Sequence, residues 1–355
     1  MVRPTLASIG TALPERRYSQ EELLERITEL YPHLNNRLTR VVFESARIDH
    51  RHVVIEDMPA FWSKPRSTAE RNDRYVLEAV PLGKAAACRA LERAGLSPQD
   101  IDDFIVVSCT GLDTPGLDLR IAGQLNMRAE LRRTVIGSMG CYGAFPGLNR
   151  ALTSVIARPN SRALVLCVEL SSLHMQQDSS RETIISSALF ADGAAAVVVS
   201  SHSADAAGEE LRPRIIDNET RCDYQTFDDM SFHVTDEGFR MYMSSYVPNI
   251  LAANIAGLLE PLLTRNDLAP NGIRHWGIHP GGARILDYLQ ESLDLADEAL
   301  TPSFDVLRRH GNMSSATILF VLDNIHKTRA PRPGEYGIIM AFGPGLTMEA
   351  ALLQW

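Results

Sequence analysis

Apolar and polar positions change period repeatedly along this chain, switching between short continuous apolar runs of strand length and longer stretches at helical spacing. Leu6-Ala-Ser-Ile-Gly10 reads as an opening strand, and Ser19, with Glu21 and Glu22 close behind, reads as a helix N-cap. Residues 75–94 carry apolar side chains at helical spacing and stop at Gly95, the residue type that ends helices in a left-handed turn. A strand-length run follows at 103–109, ahead of the turn-rich stretch 110–116. Residues 134–137, 162–168 and 194–200 continue the strands, with helices between the first two. Residues 201–208 are small and polar, a surface loop or a boundary between halves. Beyond them strands are expected at 215–216, 275–278, 337–341 and 348–353, and helices near 248–264, 283–293 and 315–325. Alternation over the whole length predicts an α/β fold whose sheets are covered by helices. Residues 190–199 and 342–351 close the two parts of the chain in a similar manner, which points to an internal duplication.

Composition narrows the function classes. The chain has 355 residues, 45% hydrophobic and 22% charged, enough to bury a large core. Its net charge of −9 argues against a surface that neutralises nucleic-acid phosphates or an anionic membrane. The longest apolar runs, 163–168 and 194–199, fall far short of the roughly 18 residues that span a bilayer. Pro4, Gly10 and Pro14 interrupt any leader-like apolar segment, so a cytoplasmic protein without membrane insertion is expected. Five cysteines without a CxxC pair do not make a disulfide or zinc framework, so each is a small core residue or a reactive thiol.

Three places could carry chemistry. In Gly137-Ser-Met-Gly-Cys141-Tyr-Gly-Ala, a strand and a small-residue turn lead to Cys141 at the start of a helix over 144–156. A thiol there sits among unpaired N–H groups at the positive helix end, which favours the thiolate; Cys141 is a nucleophile or a small hydrophobe in a tight turn. His279 stands where the strand 275–278 ends and a Pro-Gly-Gly turn begins, at the strand end where α/β sheets bind ligands. It is a partner for the thiol or a histidine satisfied by the turn. Asn312, in His310-Gly-Asn-Met-Ser-Ser-Ala316, precedes the helix from 314 or 315, where it is a helix cap or an amide donor for developing negative charge. No HExxH, Walker, GxGxxG or EF-hand pattern occurs, so metal, ATP and dinucleotide readings have no support.

Taken together, Cys141, Trp276-Gly-Ile-His279-Pro-Gly-Gly, Gly311-Asn312-Met-Ser-Ser-Ala and Phe342-Gly-Pro-Gly-Leu-Thr resemble the type III polyketide synthases, relatives of chalcone synthase. Leu189-Phe-Ala-Asp-Gly-Ala-Ala-Ala196 and Thr110-Gly-Leu-Asp-Thr-Pro-Gly116 extend the match over nearly the whole chain. The resemblance implies a thiolase-like, duplicated five-layer αβαβα fold working as a homodimer, with halves 1–205 and 206–355. It also implies roles. Cys141 would attack a starter thioester and carry the acyl chain, with His279 as its imidazolium partner. His279 and Asn312 would hold the malonyl thioester while CO₂ leaves and an enolate forms. Phe190 would be one gatekeeper, and Met241 would replace the second gatekeeping phenylalanine with a flexible side chain. Cys109, Thr110, Ser171, His174, Phe232, Met243 and Ser314 would line the starter and cyclisation pockets. His174 and Phe232 are bulkier than the Thr and Gly of plant chalcone synthases, so a pyrone or phenol of alkylpyrone, resorcinol or hydroxynaphthalene type is expected in place of a chalcone.

Thr114 stands where many members place a methionine that reaches into the partner subunit, and Arg37 and Arg40 are the nearest substitutes for the residues gripping CoA phosphates. Malonyl-CoA would supply the extender and acyl-CoA or an acyl carrier protein the starter, with no metal or redox cofactor. Two other readings stand beside this one. A β-ketoacyl carrier-protein synthase of the initiating kind shares the Cys-His-Asn logic but stops after one condensation, and a thiolase-fold binding homologue would not react at all.

Overall fold

Strands and helices alternate as the periodicity predicts through the described residues, 4–202 and 212–355 of this computed structural model. The first part contains β1 (Thr5–Ala12), β2 (Arg17–Ser19), α1 (Gln20–Leu30), α2 (Arg37–Ser45), β3 (His50–His52), α3 (Met58–Trp62) and α4 (Thr68–Ala94). It continues with β4 (Asp103–Val107), α5 (Leu117–Gln124), β5 (Arg132–Ile136), α6 (Ala144–Ala157), β6 (Arg162–Leu170), α7 (Arg181–Leu189) and β7 (Asp192–Ser200). The second part contains β8 (Arg214–Cys222), β9 (Met230–Thr235), β10 (Gly238–Met243), α8 (Val247–Arg265), β11 (Ile273–Ile278) and α9 (Ala283–Ser292). It ends with α10 (Thr301–His310), α11 (Thr317–Arg329), β12 (Tyr336–Gly343) and β13 (Thr347–Gln354).

Local chemistry sets the boundaries. Ser19 caps α1 in a reciprocal box with Glu22, and Ser67 does the same for α4 with Glu70, each pair satisfying two backbone donors. Gly95 ends α4 at φ 67°.

The strands run in the order β11-β12-β13-β8-β1-β7-β6-β4-β5. β4 lies parallel to β6, which is antiparallel to β7, which is antiparallel to β1. β11, β12, β13 and β8 repeat that succession of directions. β1 and β8 meet through a single pairing, Thr5 with Arg214, so two similar sheets are joined at one corner.

Helices cover them in layers. Tyr75, Ala79, Ala86 and Ala90 of α4 pack on the outer face of the first sheet with Leu166 and Val198. α6 and α11 lie between the sheets, where Leu148, Val155, Leu319 and Leu322 share one core with Val165 and Val197 on one side and Ile339 and Leu353 on the other. α8 and α9 cover the far face of the second sheet through Leu258, Leu262, Leu286 and Leu289, against Ile338 and Leu352. The result is the duplicated αβαβα arrangement expected from the sequence. Among the described residues, α8 is the one helix long and apolar enough to cross a membrane; here its apolar face is core.

The boundary expected at 205/206, and the polar stretch from 203 onward, lie outside the described residues. Two expectations need correction. The β9–β10 hairpin was not anticipated, because its apolar residues are spread between a cavity wall and solvent; Phe239 is buried while Val234 is 66% exposed. The helix expected from 314 or 315 begins as a 3₁₀ turn at Ser314–Ala316, with α11 proper starting at Thr317.

Candidate active site

β5 feeds the turn 137–140, a 3₁₀ turn at Gly140–Tyr142 carries Cys141, and α6 follows at once. Gly140 has φ 68°, and a Cβ there would lie 2.7 Å from Pro344 Cδ, so this turn requires glycine to admit the 343–345 loop of the second half. Cys141 is thereby buried at the positive end of α6. Burial pushes its thiol up to about 11, opposed by hydrogen bonds from Ser314 and Asn312 that favour the thiolate.

His279 follows β11, its backbone N–H bound to Met340 O at 2.8 Å. The ring is 1% exposed, and neither nitrogen has a hydrogen-bond partner, which removes the turn-satisfied reading. Burial pushes it down to about 3.

Asn312 is not a helix cap. Its backbone joins Phe190 in a parallel bridge, accepting from Ala191 N and donating to Leu189 O, each at 2.9 Å. Gly311 at φ 71° makes that approach possible, since a Cβ would lie 2.9 Å from Leu189 O. Asn312 Oδ1 accepts from Ser314 N at 2.8 Å, which fixes the amide so that Nδ2 is its donor face; Nδ2 meets Gly281 O at 3.5 Å and the Cys141 thiol.

A second thiol stands beside the first. Cys109 Sγ lies 3.5 Å from Ser314 Oγ and 3.4 Å from Glu169 Oε1, and Ser314 holds φ 48°, a strained value for a side-chain-bearing residue. Glu169, fully buried at the end of β6, also receives Cys109 N at 3.1 Å, Thr110 Oγ1 at 2.8 Å, Ser108 Oγ at 3.4 Å and Ser315 Oγ. Burial still raises its carboxyl. Sequence reasoning missed Glu169, although a lone acid closing the apolar run 163–168 was a visible signal: a buried carboxylate persists only where donors converge on it.

Cys141, His279 and Asn312 open on one cavity of about 490 Å³. Cys109, Thr110, Ser171, Phe190, Phe232, Met241, Met243 and Ser314 line the same space. Met241 and Phe232 are cross-strand partners in the β9–β10 hairpin, as are Met243 and Met230, so this hairpin forms one wall. His174 lines a smaller adjoining cavity, together with Thr110, Ser171 and Phe232. Its Nδ1 accepts from Phe239 N at 3.1 Å, its Nε2 meets Thr110 O at 2.7 Å, and its ring stacks on Phe239 at 4.3 Å, so it is a wall-forming neutral imidazole. Cys222, unassigned from sequence, lines the large cavity beside Thr347. Arg37 and Arg40 are exposed on α2, and Thr114 is exposed.

A duplicated five-layer fold with Cys, His and Asn converging from its two halves defines a thiolase-like acyl-transfer protein. Models of "Chalcone and stilbene synthases, N-terminal domain" and "Chalcone and stilbene synthases, C-terminal domain" match residues 2–203 and 224–355, and the chain belongs to this family, the type III polyketide synthases. It is similar to 1,3,6,8-tetrahydroxynaphthalene synthase of Streptomyces peucetius subsp. caesius, 33% identical over 99% of this chain and 93% of that protein. It is 29% identical to the alpha-pyrone synthesis polyketide synthase-like Pks18 of Mycobacterium tuberculosis, over 98% of this chain and 90% of the other. The crystal structure of PKS-I from the brown algae Ectocarpus siliculosus superimposes with TM-score 0.94 at 31% identity, covering 100% of this chain and 98% of that one.

Proposed function

We propose that this acyltransferase loads an acyl thioester on Cys141, extends it repeatedly by decarboxylative condensation with malonyl-CoA, and releases a pyrone or phenolic ring. The observation that carries the reading is the convergence of Cys141, an unpartnered buried His279 and the outward amide of Asn312 on one cavity. Its volume of about 490 Å³ is within the roughly 300–1,000 Å³ typical of small-molecule sites, room for a growing chain.

In loading, His279 takes the Cys141 proton, sulfur attacks the starter carbonyl, and the CoA or carrier thiolate leaves with that proton. In extension, the malonyl thioester oxygen accepts hydrogen bonds from His279 and from Asn312 Nδ2. The bond to the carboxylate breaks, CO₂ departs, and its electron pair becomes the enolate those donors stabilise. The enolate carbon attacks the Cys141 thioester, a C–C bond forms, and the C–S bond breaks to return the thiolate. This sequence calls on no metal or redox cofactor.

A homodimer is part of the proposal, supported by β5, which ends the sheet with Val135 58% exposed. Arg37 and Arg40 would meet CoA phosphates, and cytoplasmic residence completes the reading. Incubating the purified chain with radiolabelled malonyl-CoA and a panel of acyl-CoAs should release CO₂ and give cyclised polyketides. Neither product with any starter would overturn the reading, and a single-extension β-ketoacyl product would assign it to the initiating condensing enzymes.

A further inference from the structure

The stretch Leu189-Phe-Ala-Asp-Gly193 does more than supply the gatekeeper Phe190. Leu189 O accepts from Asn312 N and Ala191 N donates to Asn312 O, each at 2.9 Å. At Gly193 a Cβ would lie 2.5 Å from Met313 Sδ, so glycine there admits the residue that follows Asn312. This stretch of the first half is a cradle for residues 311–313 of the second.

Arg51, on β3 and 4% exposed, holds the cradle. α7 ends at Leu189, and its last carbonyls have no partner within the helix. Arg51 Nη1 donates to Ser187 O at 2.7 Å and to Phe190 O at 2.8 Å. Gln20 Nε2 donates to Ala188 O at 2.8 Å, while its Oε1 accepts from Arg51 Nε at 3.0 Å. A cation is well placed at the negative end of a helix, and Asp192, itself held by Val54 N at 2.7 Å and Ser172 N at 2.8 Å, balances that charge in the interior. The stem of the same side chain supports the second half, since a Cβ on Gly311 would lie 2.9 Å from Arg51 Cγ. One buried side chain thus packs against both sides of the Phe190–Asn312 bridge.

We infer that Arg51 is a positioning residue for Asn312: it fixes the carbonyls at 187 and 190, seats Gly311, and so aims the Asn312 amide at the place where the enolate oxygen forms. The inference rests on the condensing function proposed above. Cys141 and His279 are carried by other turns, after β5 and β11, so loading depends on Arg51 less than decarboxylation does. Lysine in its place keeps the charge that faces Asp192 but lacks the planar fork that serves Ser187, Phe190 and Gln20 together.

A double-mutant cycle tests this. Arg51→Lys should lower the turnover of malonyl-CoA decarboxylation by about tenfold or more, with KM held within about twofold, because a displaced amide donates poorly to the developing oxyanion. Cys141 acylation by an acyl-CoA should fall by about threefold or less. In an Asn312→Ala background the same substitution should cost decarboxylation nothing further, within about twofold, since the group it positions is gone. Full multiplication of the two losses, or equal falls in acylation and decarboxylation, would mean a general role in stability and overturns the inference, as does undiminished decarboxylation in Arg51→Lys. Where Arg51→Lys lacks native circular dichroism, Gln20→Leu takes its place in the cycle, with a smaller loss and the same outcomes. If the unaltered chain releases no CO₂ from malonyl-CoA, the condensing function itself falls, and Arg51 is judged by iodoacetamide alkylation of Cys141 at pH 7, whose thiol Asn312 contacts. Slowing by the factor seen in Asn312→Ala, and no further slowing in the double variant, supports the inference. An unaltered rate, or slowing that adds to that of Asn312→Ala, overturns it.

Discussion

Cys141 and Cys109 sit in one cavity and share Ser314, yet their surroundings prepare them for opposite fates. Cys109 faces the carboxylate of Glu169, whose negative charge adds to burial in holding the proton on sulfur. Cys141 feels the same charge but is not hydrogen-bonded to it; it faces Asn312 as a donor and the positive end of α6, and shares its cavity with an imidazole that has no other partner. A cysteine is therefore made reactive by what can accept its proton and stabilise the charge left behind, more than by exposure.

The widest separation between the two thiols is expected on deletion. Cys141→Ala should abolish acyl-enzyme formation, a loss of at least about a thousandfold, while Cys109→Ala should still be acylated. Intact-mass measurement after brief exposure to an acyl-CoA decides this, and persistent acylation of Cys141→Ala would exchange the two roles. A smaller effect sharpens the same contrast through the partners of Cys141. Asn312→Ala should slow decarboxylation of malonyl-CoA by about a hundredfold or more, the scale of losing one donor to a developing oxyanion, and affect loading less. His279→Ala should reduce both steps, along with alkylation of Cys141 by iodoacetamide at pH 7. Undiminished alkylation in His279→Ala would remove histidine from thiol activation.

Much of this contrast was legible in the sequence. Cys141, His279 and Asn312 each follow or join regular elements beside Gly or Pro, because a side chain that must reach a cavity from a strand end needs a sharp turn, and sharp turns leave a residue signature. The layered fold was readable for a similar reason: buried strands such as β6 and β7 are nearly continuous apolar runs. The β9–β10 wall was not readable, since its alternation serves a cavity and solvent and mimics a loop. Glu169 escaped for another reason: its meaning lies in which groups converge on it from distant parts of the chain, and local spacing does not encode convergence.

The gentlest probe carries the same question, whether a buried group is met by enough partners, from thiols to acids. Glu169 collects donors from Ser108, Cys109, Thr110 and Ser315, whereas Glu349, 4% exposed on β13, receives one among the described residues, from Thr220 at 2.8 Å. Burial raises the Glu349 carboxyl from its usual 4.5 to about 7. The folded chain thus holds this proton more tightly than the unfolded one, so ionising Glu349 costs stability. That cost is absent below about pH 4.5, grows as pH rises toward 7, and is complete above it. A shift of this size corresponds to about 3 kcal/mol at most, and partial screening leaves about 1–2 kcal/mol. Glu349→Gln keeps an acceptor for Thr220 and carries no charge. It should unfold at higher urea concentration than the unaltered chain at pH 8.5, with the gap closing as pH falls to 5. A variant less stable at pH 8.5 would mean that the Glu349 carboxylate is as well satisfied as that of Glu169, and the contrast between the two acids would be lost.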